Sequence, residues 1–317
     1  RFAAPTIMAG NTAALKHASN VPGCAMAIEE LFREAGFPEN VFRTLLIGSN
    51  QVESVIKHQA IKAVSLTGST PAGKSVAAIA GSMLKKCVLE LGGSDPYLIL
   101  KDADLEAAAK ICTAGRLLNA GQSCIAAKRF IVVDEVYSEF LEHFTHEMNR
   151  AVFGDPCDSE TTMGPVARTD LRDELHRQVV SSVKKGAEII LGGEIPNRKG
   201  AFYPPTILEN VKPGMPAYDE ELFGPVAAVI RVKDEAEAIR VANDTEFGLG
   251  AAVFTRDLKK GEYIAEKQLD AGCCFVNDNV KSDQRLPFGG IKDSGFGREL
   301  STQGIKELMN LKTVVVK

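Results

Sequence analysis

Val64-Ser65-Leu66-Thr67-Gly68-Ser69-Thr70-Pro71-Ala72-Gly73 decides the fold. An apolar β-type run at 64–66 breaks at a glycine, a helical pattern follows over 73–83, and a second β-type run comes at 87–91. Strand, glycine turn, helix and strand make the unit of a parallel sheet, because two parallel strands need a long crossover and a helix supplies it. The turn is also where backbone N–H groups and a helix dipole hold a phosphate, which marks Gly68 and Gly73 as candidates. Two kinds of phosphate site fit. With Lys74-Ser75 the string satisfies the G-x-x-x-x-G-K-S pattern of nucleotide hydrolases, and Phe130-Ile131-Val132-Val133-Asp134 then reads as an apolar strand ending in a magnesium-binding aspartate. A strand-to-helix turn that binds nothing is the plain alternative.

The same alternation runs outward in both directions. Upstream lie β-type runs at 13–16 and 41–47 around a helix at 23–35 that Gly36 and Pro38 stop. Downstream come runs at 97–100, 129–133, 226–232, 251–255 and 273–277, with helices at 105–118, 137–151, 171–185 (ended by Gly186) and 235–243. The middle is rich in glycine and proline, with Gly192-Gly193, Pro196, Gly200, Pro204-Pro205 and Pro213-Gly214. This pattern predicts an α/β fold on parallel sheets with a domain boundary near Gly92-Gly93. The apolar tail at 311–316 predicts an edge strand that invites pairing with another subunit.

With 317 residues, 45% apolar and 25% charged, the chain has material for one large or two ordinary domains. A net charge of −4 gives no electrostatic reason to expect nucleic acid or an anionic membrane as partner. Seven cysteines without disulfide density or a C-x-x-C pair fit a reducing cytoplasm. No apolar run reaches the ~18 residues of a membrane span, and no charged-then-apolar leader opens the chain. Phe2-Ala3-Ala4-Pro5-Thr6-Ile7-Met8-Ala9, after Arg1, reads like the inside of an element, so the expectation is a chain that begins mid-domain.

Two small-residue loops carry candidate chemistry. Glu90-Leu91-Gly92-Gly93 is followed, 34 residues on, by Asn119-Ala120-Gly121-Gln122-Ser123-Cys124, which implies a base and a nucleophile. A free thiol titrates near roughly 8.5, so a nucleophilic Cys124 needs a helix N-terminus, a cation or a base to be thiolate at neutral pH. Otherwise Cys124 is a small buried hydrophobe and Glu90 a solvated carboxylate. Glu220-Glu221-Leu222-Phe223-Gly224-Pro225 pairs carboxylates with an aromatic at a forced turn, suited to a ribose and a flat ring or simply to a surface. The glycine-dense segment from Pro287-Phe288-Gly289-Gly290 to Gly297-Arg298-Glu299 requires some close backbone approach. His143 and His146, three apart, lack H-E-x-x-H spacing and a third ligand, so no metal site is expected.

Taken in order, these strings resemble the aldehyde dehydrogenase superfamily over essentially the whole chain. The resemblance implies a Rossmann-like NAD(P)-binding domain at 1–92, incomplete at its N-terminus, an α/β catalytic domain at 93–293, and a return segment with an oligomerisation strand at 294–317. It implies a homodimer or homotetramer acting on a small aldehyde, with Cys124 forming a thiohemiacetal and then a thioester, Glu90 as general base and Glu299 as a carboxylate in the proton path. Lys16 matches the adenosine-ribose lysine, Ser69 the pyrophosphate contact, Leu91 belongs to the cofactor-side motif, and Glu221 and Phe223 match the groups at the nicotinamide ribose and ring. On this basis the phosphate-loop string involves no nucleotide hydrolysis.

Within the superfamily the chain is most similar to bacterial succinate-semialdehyde dehydrogenases, through Glu90-Leu91-Gly92-Gly93-Ser94-Asp95-Pro96 and Ser282, which matches a residue holding the substrate carboxylate. Three departures stand out. Ser19 replaces the glutamate that commonly selects NAD, which opens the way to NADP. Leu118 replaces the arginine six residues before the nucleophile, which leaves the carboxylate to Arg116, Lys281, Arg285 or a group outside the chain. The resemblance further implies residues ahead of Arg1 that hold an oxyanion-hole asparagine, whose loss costs ~10²–10³ in rate. Weak turnover without them is the expectation, and a nucleotide hydrolase or an inactive structural paralogue is the rival.

Overall fold

Phe130-Ile131-Val132-Val133, the body of the strand Arg129–Val133, has every residue buried. Phe130 and Val132 enter one apolar cluster, while Ile131 and Val133 enter another. A strand that is apolar on both faces belongs inside a parallel sheet covered by helices on each side, and the computed structural model, which describes residues 1–317, places it there. It is the fourth strand of a seven-stranded sheet ordered Cys273–Val276, Gly250–Phe254, Pro96–Ile99, Arg129–Val133, Val226–Val232, Thr206–Glu209 and Glu188–Leu191. All neighbours are parallel except the last pair, which is antiparallel.

Helices Leu105–Leu117 and Tyr137–Asn149 cover one face through Leu105, Ala108, Cys112, Phe140 and Phe144. Helices Thr169–Lys184, Glu235–Asn243 and Leu258–Lys267 supply Leu175, Val179, Ala238, Val241 and Ile264 to the other. Asp104, Asp234 and Asp257 start three of these helices by accepting a hydrogen bond from the amide three residues on, which satisfies one of the open N–H groups.

The chain divides into two compact units, one of residues 1–91, 282–289 and 295–317, the other of 92–281 and 290–294. The larger holds the seven-stranded sheet. The smaller holds a parallel pair, Ala13–Leu15 with Phe42–Thr44, and a three-stranded sheet of Gly295–Phe296, Lys86–Glu90 and Ala63–Thr67. In that sheet Glu90 sits between Thr67 on the parallel side and Gly295 on the antiparallel side. Ile56, Val76, Ala80, Leu89 and Leu91 form the core beneath it.

Most expected elements are present, and the differences have physical causes. The helix expected from 73 begins at Thr70, because Pro71 in the first turn is preset for helical φ and loses no bond there. Strands Glu188–Leu191 and Thr206–Glu209 lie in the glycine- and proline-rich middle, where turn residues masked two short strands. Helices Val52–Lys57 and Ser301–Glu307 are too short to show an apolar period, and Leu258–Lys267 was missed although it is amphipathic and follows the capping Asp257. The tail 311–317 forms no strand within this chain, and Leu311, Val314, Val315 and Val316 are exposed. No helix is long and apolar enough to cross a membrane.

Gly295 tests the register that holds Glu90. Its φ is +108°, and an added Cβ would land on the Leu89 carbonyl, a backbone atom that cannot turn aside. Gly295→Ala is expected to cost about 1–3 kcal/mol, the usual range for a side chain forced into such a conformation. Urea unfolding measures it, and an unchanged midpoint would mean that this strand pair does not constrain the sheet.

Candidate active site

In the smaller unit, Glu90 ends the strand Lys86–Glu90 with its side chain 3% exposed, and neither carboxylate oxygen has a hydrogen-bond partner. Buried polar groups are nearly always paired, so an orphaned carboxyl signals a functional site or a place kept for another group. Burial, and next the nearby charge of Glu299, push its pKa up to about 8, against the pull of Arg1 and Arg298. The backbone of Gly289 packs against it, since an added Cβ there would lie 2.8 Å from Glu90 Oε1. Glu299, also buried, accepts a hydrogen bond from Arg1 Nε at 2.7 Å. Arg1 Nη1 reaches Ser282 Oγ at 3.3 Å, and the guanidinium lies over the Phe288 ring. Glu90, Glu299 and Ser282 thus lie in one unit, and Arg1 is a cation that the sequence reading overlooked.

In the larger unit, Cys124 is half-buried on the loop between helix Leu105–Leu117 and strand Arg129–Val133. Asn119, Ala120 and Gly121 leave the helix in three consecutive left-handed conformations, φ 53°, 53° and 72°. Asparagine and glycine tolerate such angles and Ala120 does not, so its turn is held by its surroundings. Arg116 Nη2 donates to the Gly121 carbonyl at 2.7 Å. Beyond the thiol, Lys128 Nζ donates to the carbonyls of Ser123 (3.1 Å), Cys124 (2.8 Å) and Ala126 (3.1 Å) and lies 3.4 Å from Glu221 Oε1. Burial pulls the Lys128 pKa down, while Glu221 and then Asp95 oppose this. Gly93 N donates to the same Glu221 oxygen at 3.0 Å. Glycine is required at 121, where φ is +72° and a Cβ would strike the Gly224 carbonyl, whereas a Cβ at 92 would meet only the movable Glu221 carboxylate.

The remaining expected residues fall as follows. Lys16 and Ser19 are exposed beyond the strand Ala13–Leu15. Ser69 is the N-cap of helix Thr70–Ser82, and its side chain makes no bond to the helix amides. Gly68 N donates to the Glu90 carbonyl at 3.0 Å. Phe223 is exposed at the turn that follows Glu221. Leu91 is in the core, so any cofactor contact there belongs to its backbone. Glu90 lies in the smaller unit and Cys124 in the larger.

Three expectations need correction. Gly73 is inside the helix and buried, and an added Cβ would collide with the Leu91 side chain; it is a packing glycine, not a phosphate contact. For the same reason the G-x-x-x-x-G-K-S string is no hydrolase loop: the helix already starts at Thr70, leaving no loop long enough to wrap phosphates. Asp134, its supposed magnesium partner, is paired with Arg231. Arg116 is 0% exposed, with Nε and Nη1 unpartnered. Burial pulls its pKa to about 9, opposed first by Glu221. With no access to solvent it supports the loop and does not receive a diffusing carboxylate. Lys281 and Arg285 make exposed ion pairs with Asp278 and Asp283, which solvent weakens and a substrate carboxylate can displace. Lys128 was also missed, although two adjacent charges, Lys128-Arg129, opening an apolar strand were a visible signal.

The aldehyde dehydrogenase family model matches residues 1–314, and the chain belongs to that family. It is 50% identical over 314 residues to the succinate semialdehyde dehydrogenase [NAD(P)+] Sad of Escherichia coli strain K12, covering 99% of this chain and 68% of that protein. It is 49% identical to the succinate-semialdehyde dehydrogenase [NADP(+)] of Deinococcus radiodurans, covering 66% of it. Among solved structures, succinic semialdehyde dehydrogenase from Streptococcus pyogenes in complex with NADP+ superposes with a TM-score of 0.96 at 40% identity, over 99% of this chain and 69% of that one. The chain therefore spans about two thirds of the length of these relatives.

The buried carboxyl has a consequence for stability. An unfolded glutamate titrates near its ordinary 4.5, and the folded chain holds the Glu90 proton up to about 8. The folded state therefore loses stability as pH rises through that window and loses no more above it. Glu90→Gln carries no titrating group, so its melting temperature relative to the native chain should climb from pH 5 to pH 9. Paired thermal melts across that range test this, and a flat difference would contradict a buried, proton-holding carboxyl.

Proposed function

We propose that this chain acts in the NAD(P)-dependent oxidation of an aldehyde to its carboxylate, with succinate semialdehyde as substrate. Family membership supports the reaction class, and the activities of the relatives support the substrate. The observation that carries the reading is the Cys124 loop, held by two buried cations around a partly exposed carboxylate, Glu221.

Cys124 Sγ, as thiolate, adds to the aldehyde carbon and gives a thiohemiacetal. Loss of hydride restores the C=O bond as a thioester, and water then adds and releases the acid and the thiolate. Glu90 takes the proton from the thiol or from that water; with a pKa near 8 it is an effective base only as pH approaches that value. Glu299 passes the proton on. When bound, an oxidised nicotinamide dinucleotide would supply the hydride acceptor.

Each unit by itself carries groups that such a cofactor uses. Ser69 caps a 13-residue helix without closing off its amides, Glu221 has a partly exposed carboxylate for ribose hydroxyls, Phe223 offers an open ring, and Lys16 is exposed for the second ribose. Ser19 brings no carboxylate to repel a 2′-phosphate. For the substrate, Arg1 beside Ser282 supplies a cation and a hydroxyl within one hydrogen bond of each other, which suits a carboxylate. The exposed apolar tail 311–316 fits pairing with another copy as a homodimer or homotetramer, and the seven cysteines, none in a disulfide, fit a cytoplasmic protein.

Two measurements test this. kcat/KM should favour succinate semialdehyde over an uncharged aldehyde of similar length by at least about tenfold, or roughly 1.4 kcal/mol. Ser282→Ala should erode that ratio and Cys124→Ala should abolish turnover; equal values for the two aldehydes would sink the carboxylate reading. By fluorescence quenching, NADP should bind no worse than about tenfold weaker than NAD, and a strong preference for NAD would refute the role given to Ser19.

A further inference from the structure

Lys128 is 1% exposed at the start of a sheet strand, where a lysine has no ordinary reason to be. Its surroundings define its state. Three carbonyl oxygens accept from Nζ, and only an ammonium has three hydrogens to give. The fourth neighbour is Glu221 Oε1, so one buried cation touches both the backbone of the thiol residue and the carboxylate that faces the proposed cofactor. Other charges around it are Asp95, Arg116 and the Cys124 thiol itself. Arg129, next in sequence, is committed elsewhere, donating to the carbonyls of Ser94, Val241 and Ala242.

We propose that Lys128 is a positioning residue that couples occupation of Glu221 to the placement of Cys124. This rests on Glu221 being the cofactor-ribose carboxylate. A ribose hydroxyl that donates to Glu221 draws on the same negative charge that holds the ammonium. Weakening that ion pair lets Nζ bind more strongly to the carbonyls of Ser123, Cys124 and Ala126. The loop is a responsive element because its entry turn, Asn119-Ala120-Gly121, is already in costly left-handed geometry and is kept there by Arg116. Relaxation of that turn is the alternative state, and the ammonium sets the balance between the two.

The test reads the rate at which iodoacetamide alkylates Cys124, followed by peptide mass spectrometry because Cys24 and Cys157 are exposed as well. It is run with and without saturating NADP on the native chain, Lys128→Met, Glu221→Gln and the double variant, with melting temperatures alongside. In the native chain NADP should change the rate by about fivefold or more, the usual lower range of site-to-site coupling. Lys128→Met should still bind NADP but show the same rate with and without it, and the double variant should match Lys128→Met. Should that variant fail to fold, Lys128→Gln keeps two N–H donors for the carbonyls and removes the charge, and it should likewise lose the NADP response. A native-sized response in the variant that folds, or single effects that multiply in the double, overturns the coupling. Absence of NADP binding or of Cys124 labelling in the native chain overturns the dehydrogenase reading first and the coupling with it, a result distinguishable from the others.

Discussion

Three positive charges with no access to water, on Arg116, Lys128 and Arg129, fix the segment on which the proposed chemistry of the larger unit depends. Removing a charge from water costs several kcal/mol even after relaxation, and well-placed oxygens offset that cost, fully for Lys128 and only in part for Arg116, whose Nε and Nη1 have no partner. Here the oxygens are chiefly backbone carbonyls: Gly121 for Arg116, the carbonyls of 123, 124 and 126 for Lys128, and those of 94, 241 and 242 for Arg129. Side-chain cations tied to backbone oxygens act as fixed struts. They specify where the loop runs without using its side chains, which leaves Cys124 half-buried and accessible. Glu221 is the nearest counter-charge to two of the three, so the turn carrying it is bound to the same arrangement.

The architecture was largely legible because it obeys simple periodicities. Val226–Val232 and Arg129–Val133 read as buried strands from their continuous apolar runs, and both are buried almost throughout. Helix Glu235–Asn243 was legible from its apolar spacing and from Asp234 before it. Glu188–Leu191 and Thr206–Glu209 were not, since their pairing is antiparallel at the sheet edge and is set by long-range contacts that local composition does not encode. The site was legible in part. Glu90, Cys124 and Glu221 stand in distinctive small-residue strings, whereas Lys128 and Arg1 are ordinary cations in sequence and acquire meaning only when folding places oxygens around them. Gly73 shows the converse: it satisfied a motif perfectly well, and a shift of three residues in the helix start gave it a packing role.

The smaller unit uses a different device. Glu90 is buried with Glu299 in the same unit, and burial and that like charge both favour its protonated form. Arg1 and Arg298 offset this only partly. Arg1 pairs with Glu299 rather than Glu90, so the two carboxyls are treated unequally: one has a cation bonded to it and the other has no hydrogen-bond partner. Glu90 is thereby the carboxyl that keeps its proton up to about pH 8, as a group that must exchange a proton near neutrality requires.

Local rules are broken at several places in this chain, some of them plain turns such as the one at exposed Leu84 (φ +53°), others at residues assigned a chemical task or touching one. Asn119 and Ala120 adopt left-handed backbone immediately before the thiol, Glu90 has two orphaned oxygens, and Lys128 is a buried ammonium. The seven-stranded sheet, by contrast, follows pattern and burial except at its exposed edge strand Glu188–Leu191, and three of its helices carry an aspartate cap. Such a distribution is expected when a stable scaffold carries the cost of a site that is itself unfavourable. A chain selected only for stability would replace Lys128 with an apolar residue and Glu90 with a neutral one, since well-packed apolar groups often match or improve on buried charges. Burial alone does not assign a task, since Arg129 is equally buried and bonds only backbone carbonyls; the stability forgone at Lys128 and Glu90 is what the proposed chemistry would account for.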